Sequence, residues 1–138
     1  MPVKVFVFGT LKRGFPLHHG MAGAKFLGEY QTVERFPMFV AGPWFAPMMM
    51  NEPGVGLHVL GELYDVDDAQ LACLDGIESI GRPGNLRMSI EIEPMRAGAR
   101  CTAFAYMKSR VLADPIHTGC LACYQDRRFI PPEQRPTA

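Results

Sequence analysis

The chain has 138 residues, 48% of them apolar and 20% charged, and its 14 basic and 14 acidic side chains cancel to a formal net charge of zero. A chain of that length buries a core without metal or disulfide staples, so one globular domain is expected. The arginines are scattered and form no basic stripe, which argues against a nucleic-acid partner.

The opening MPVKVFVFG is too short and too soon interrupted for a signal-peptide core, and it lacks a small-residue cleavage site. No segment reaches the roughly 18 consecutive apolar residues of a membrane helix. A cytoplasmic protein without membrane partners is expected, with its four cysteines reduced.

In chain order, Val3 to Phe8 is a β-branched and aromatic run stopped by Gly9, which predicts a buried strand feeding a tight loop. The loop GTLKRGFPLHHG, with glycines at both ends and an internal proline, defers any helix to about His18 to Ala24. Lys25 to Val33 and Phe36 to Val40 read as strands, the second placed at an edge by Pro37. Met48 to Met50 reads as a short strand with Leu57 to Tyr64 as its hairpin partner across NEPGVG. Asp67 as N-cap with Gln70 three residues on resembles a capping box, and Leu71 and Leu74 give the helix it opens an apolar face that Gly76 closes. LRMSIEI and CTAFAYM alternate and predict two half-buried strands joined by PMRAGA.

Past Lys108 the composition turns polar and proline-rich, so residues 1–108 are expected to form the domain and 109–138 a tail packed on it or extending from it. Many strands with one strong helix predict an α+β domain around a curled, mainly antiparallel sheet.

Two stretches offer chemistry. In the loop Gly9-Thr10-Leu11-Lys12-Arg13-Gly14, Gly9 removes the side-chain barrier to unusual backbone angles, and successive N–H groups can cradle an anion or oxyanion. The spacing fits neither a Walker loop nor GxGxxG. Read alone, a turn carrying a solvated basic pair is the plainer reading of the loop. Glu78, just past the helix, faces the negative end of the helix dipole among Leu74, Ile77 and Ile80. Both the dipole and desolvation would raise its pKa, as a general acid/base needs, although one surface carboxylate among 14 acids is the plainer reading.

Taken together, VFVFGTLKRG and the later GELYDVDDAQLACLDGIES resemble the γ-glutamylcyclotransferase-like (AIG2-like) superfamily, and within it the γ-glutamylamine cyclotransferases, over about residues 3 to 107. The resemblance implies a small, mainly antiparallel β-barrel with flanking helices and a pocket where the loop meets the glutamate. It implies Glu78 as the catalytic residue and Phe8, Gly9, Thr10 and Leu11 as substrate-holding residues. It also implies the reaction: release of 5-oxoproline from a γ-glutamyl compound, with no metal, nucleotide cofactor or covalent enzyme intermediate. Phe8 stands where the family motif usually has tyrosine, and Asn85 stands near the place of a tyrosine that precedes an arginine, here Arg87.

Other signals stay secondary. Cys120 and Cys123 form a CxxC with His117 nearby but lack a second pair to complete a metal site. Cys73 and Cys101 are expected as buried thiols on apolar faces, and of His18 and His19 at most one should face the pocket. Trp44, Phe45 and Met48 to Met50 suit either core packing or an adaptable wall for a variable leaving amine, and Arg127 and Arg128 either cover the pocket or face solvent. Three functions remain open: a γ-glutamylamine cyclotransferase, a cyclotransferase for γ-glutamyl amino acids or glutathione, and a noncatalytic small-molecule binding module.

Overall fold

A computed structural model describes residues 2–136. Seven strands form, β1 (Val3–Val7), β2 (Lys25–Thr32), β3 (Met38–Ala41), β4 (Ala46–Met49), β5 (Leu60–Val66), β6 (Asn85–Pro94) and β7 (Cys101–Lys108), with a helix α1 (Asp68–Ile77) between β5 and β6. Short 3₁₀ turns occupy His18–Met21, Arg110–Leu112 and Pro132–Gln134. Five strands close a barrel in the order β1-β5-β2-β6-β7. Its seam is a parallel contact between Val5 and Phe104, and every other pairing is antiparallel. The expected α+β barrel is therefore present, flanked by one α-helix.

The apolar run of β1 follows from its being covered on both faces. Phe6 points into the barrel among Leu63, Ile92, Ala105 and Met107, while Val5 and Val7 face outward against Leu74 of α1, Tyr64 and Tyr106. Packing is tight where β5 begins beside the end of β1, since a Cβ on Gly61 would lie 2.4 Å from the Val7 carbonyl oxygen.

Three local expectations need correction. The partner of β4 is β3, with Met38 opposite Met49 and Ala41 opposite Ala46, because the short link at 42–45, with Gly42 at φ 79° and Phe45 at φ 56°, folds one back on the other. Residues 50–59 instead carry the chain to β5, which pairs with β1 and β2. The helix passes through Gly76 to Ile77 and stops where Ser79 takes φ 55°. Asp67 caps it through the Gln70 N–H at 2.7 Å, but the Gln70 side chain donates to the carbonyls of Gly20 and Ala22 rather than closing a capping box.

Residues 109–136 contain two of the 3₁₀ turns and lie along β3 and the barrel mouth. The N–H groups of His117 and Leu121 donate to the Val40 and Met38 carbonyls at 2.8 and 2.7 Å, and Leu60 N–H donates to the Ala122 carbonyl at 2.8 Å. Tyr124 is wholly buried in the barrel core, its ring 5.3 Å from that of Phe15. Its hydroxyl has no protein partner among the described residues, and burial pushes its pKa up to about 12. A buried unpaired hydroxyl costs on the order of 1–3 kcal/mol, so Tyr124→Phe is expected to raise the denaturant midpoint. A lowered midpoint would mean that the hydroxyl has a partner.

Candidate active site

The loop after β1 is held at both of its basic residues. Lys12 is buried, its Nζ donating to the Tyr124 carbonyl at 2.9 Å and lying 4.8 Å from the Phe15 ring centre. The backbone N–H and Nε of Arg13 donate to the two carboxylate oxygens of Glu62 at 3.0 and 3.3 Å, and Glu62 also accepts from the Tyr64 hydroxyl at 2.9 Å. The basic pair is thus a pair of anchors, one tying the loop to the tail and one to β5. Gly9 is needed for room rather than for backbone angle: a Cβ there would lie 2.4 Å from Pro47 Cγ of β4, whereas Gly14 is the loop glycine with positive φ, at 83°. Among the described residues, the Thr10 and Leu11 N–H groups have no protein acceptor, while the Thr10 carbonyl receives the Leu17 N–H and the Leu11 carbonyl receives His18 Nδ1–H.

Glu78 caps the C-terminus of α1, its N–H bonded to the Leu74 carbonyl at 2.9 Å. About a fifth of its side chain is exposed, at 19%, and Lys108 Nζ lies 3.7 Å from its carboxylate. Burial raises the Glu78 pKa above the usual carboxylate range, and the Lys108 charge holds the rise in check. Lys108 also donates to the Asn85 side-chain carbonyl, and β6–β7 register explains why: Asn85 stands directly opposite Lys108, as Arg87 stands opposite Tyr106. Arg87 and the Tyr106 hydroxyl grip the two oxygens of Asp75 at 2.5 and 2.8 Å, so the last turn of α1 is pinned to the same two strands.

These elements surround a cleft of about 720 Å³. Phe8, Gly9, Thr10 and Leu11 form one wall, and Glu78, Asn85 and Lys108 another. All five site residues expected from the sequence therefore line one space. Lys108 and Tyr106, which also line it, were not singled out in the sequence, although the alternation of β7 puts both on the face away from the buried Ala103, Ala105 and Met107.

The secondary signals divide. Trp44 and Met48 line the cleft, whereas Met49 and Met50 are fully buried and Phe45 stacks on His117 at 4.0 Å. His19 lines the cleft, while Arg127 donates to the Gly14 carbonyl and Arg128 pairs with Asp126. From the tail, Phe129, Glu133 and Arg135 line the cleft, and no local sequence signal marks them. His117 Nε2 is committed to the Gly42 carbonyl, and among the described residues no cluster of His, Cys, Asp and Glu could hold a metal ion. Cys73 is exposed rather than buried, because its helix meets the barrel along the Leu74 side. Among the described residues no helix is long and apolar enough to cross a membrane.

A family model described as γ-glutamyl cyclotransferase, AIG2-like matches residues 5–122. Bos taurus γ-glutamylaminecyclotransferase is 34% identical, the alignment covering 95% of this chain and 83% of that protein. An Arabidopsis thaliana relative is 44% identical over 64% of this chain, which spans about half the length of that relative, 50%. A crystal structure of a mouse AIG2-like protein superposes with a TM-score of 0.83 at 31% identity, covering 97% of this chain and 99% of that one.

Proposed function

The chain belongs to the γ-glutamyl cyclotransferase, AIG2-like family, and on that premise we propose that it is an enzyme releasing 5-oxoproline and a free amine from γ-glutamylamines. Glu78 acts as carboxylate, taking a proton from the substrate α-ammonium. The freed amine attacks the γ-carbonyl of the same molecule and closes the ring, Glu78 returns its proton to the departing nitrogen, and the second proton lost by the ring nitrogen leaves with the product amine as its ammonium. A curled substrate confined beside the loop gains the rate advantage of intramolecular attack, and the Thr10 and Leu11 N–H groups are donors for its carboxylate or for the tetrahedral oxyanion. The observation that carries this reading is that Glu78, whose carboxylate is desolvated, lines the same cleft as Thr10 and Leu11, whose N–H groups have no protein acceptor among the described residues. The amine preference follows the name of the Bos taurus relative. A cytoplasmic setting suits the four free cysteines.

The test is 5-oxoproline release from a panel of γ-glutamylamines, γ-glutamyl dipeptides and glutathione. The highest kcat/KM is expected on the amines. Preference for dipeptides or glutathione would shift the assignment to the related cyclotransferases, and tight carboxylic-acid binding without turnover would favour a binding module.

Lys108 gives a pH prediction. The carboxylate form of Glu78 starts the reaction, and Lys108 lowers its pKa, so Lys108→Met should move the acid limb of kcat/KM to higher pH. An acid limb that stays in place would separate Glu78 from the proton transfer.

A further inference from the structure

The CxxC of the tail takes no part in the proposed chemistry, yet it lies against the loop that does. Cys120 is exposed and Cys123 half-buried, and the chain bends at Ala122 and Cys123, which turns the two ends of the motif towards each other. The residues between them are fixed, since the Leu121 N–H donates to the Met38 carbonyl and the Ala122 carbonyl accepts from the Leu60 N–H.

Lys12 meets the second cysteine. Its buried Nζ donates to Cys123 Sγ at 3.9 Å and to the carbonyl of the next residue, Tyr124, at 2.9 Å. Among the described residues no carboxylate comes within ion-pair distance of Lys12, so of its two acceptors only Cys123 can carry a negative charge. A buried ammonium is costly without such a partner. The same stretch of tail holds the loop twice more, through the Tyr124 ring 5.3 Å from that of Phe15 and through Arg127, which donates to the Gly14 carbonyl at 2.8 Å. Residues 12–15 thus rest on residues 123–127, and Leu11, next to Lys12, lines the cleft.

We infer that Cys120 and Cys123 form a reversible dithiol–disulfide pair, oxidised by a low-molecular-weight disulfide, whose closure loosens the loop at Lys12 and slows turnover. The effect on turnover rests on the cyclotransferase reading, whereas the bond itself does not. The exposed Cys120, as thiolate, attacks one sulfur of the small disulfide, and a mixed disulfide forms as one small thiolate leaves. Cys123 then attacks the Cys120 sulfur, closing the protein bond and expelling the second small thiolate. The protons given up by the two cysteines go to the two departing thiolates, so two protein thiols are oxidised while one disulfide is reduced to two thiols. A bridged Cys123 sulfur carries no charge, and drawing it towards Cys120 moves it and the adjoining Tyr124 carbonyl away from Nζ. Lys12 then loses both acceptors that hold it.

Oxidised glutathione is the probe. Treated wild type is expected to fall in mass by two hydrogens, with the bond mapped between Cys120 and Cys123, and to release 5-oxoproline about 10-fold more slowly, the size of one lost hydrogen bond to a charged group. Dithiothreitol should restore both. Cys120→Ser should hold the untreated rate in oxidised glutathione, which would also exclude Cys73, the other exposed thiol, as the cause. Lys12→Met should still form the bond but turn over alike in both states. Melting temperature reads the same coupling without turnover: a bond closing so short a loop restricts the unfolded chain little, so oxidised wild type should melt below reduced. A glutathione adduct that stays on Cys120, or no reaction at all, would overturn the pair. A bond that leaves the rate of an active protein unchanged would overturn its hold on the loop. A bond that lowers the melting temperature of a protein releasing no 5-oxoproline in either state would keep the redox pair and remove the cyclotransferase reading. Without that shift in such a protein, both fall.

Discussion

Glu78→Gln is expected to lower kcat/KM for 5-oxoproline release by about 10²- to 10⁴-fold, the usual contribution of a positioned general acid/base, because an amide neither takes nor returns the proton. The loss should not come from unfolding. Burial lifts the Glu78 pKa in the folded protein above its unfolded value. At low pH the carboxyl is protonated in both states and costs nothing. As pH rises past the unfolded pKa and through the folded one, ionisation favours the unfolded chain and stability is lost. The neutral amide escapes that loss, so Glu78→Gln should melt with wild type at low pH and above it at neutral pH. A variant that keeps near-wild-type kcat/KM would remove Glu78 from the chemistry.

Gly9→Ala is expected to be the most damaging small change in the loop. The added Cβ would fall 2.4 Å from Pro47 Cγ and 3.0 Å from Pro47 Cβ, atoms of a ring that cannot rotate away. Overpacking of that kind costs about 1–3 kcal/mol, and relief by backward movement of the loop would displace Thr10 and Leu11, which line the cleft. Melting temperature and kcat/KM should both fall. Adding Pro47→Ala removes the nearest atom and should recover part of both. Gly9→Ala melting and turning over like wild type would show that the loop tolerates movement and that its position is not set against β4.

Much of the framework was legible in the sequence because its signals are local. The doubly covered run of β1, the Asp67 cap, and the alternation of β6 and β7 each appear within a few residues of one another. The pairing of β4 was misread because two candidate partners flank it, and the choice depends on the short link at 42–45 and on β5 being taken up by β1 and β2. Hydrophobic pattern identifies strands but not their neighbours. Lys12 was open to being read as solvated, since nothing near it in sequence reveals the Tyr124 carbonyl far along the chain.

The site divides in the same way. Glu78 and the Phe8 to Leu11 loop carry recognisable motifs, and the cleft that holds them together is a property of the barrel. Lys108 follows from the alternation of β7 alone, whereas its place opposite Asn85 depends on the β6–β7 register, which local pattern does not carry. Arg135 was not recoverable, since its environment is built by Trp44 and Phe129 and by a tail whose composition resembles a linker.

In the proposed reaction the γ-carbonyl is attacked by the substrate's own amine and not by water. Turnover of a γ-glutamylamine by the wild-type protein in H₂¹⁸O, with both possible acid products quantified by mass spectrometry, tests it most directly. Intramolecular attack predicts 5-oxoproline in equal amount to the released amine, with no ¹⁸O in its ring carbonyl. Glutamate carrying ¹⁸O in its γ-carboxylate, in place of 5-oxoproline, would contradict it and make the protein a hydrolase.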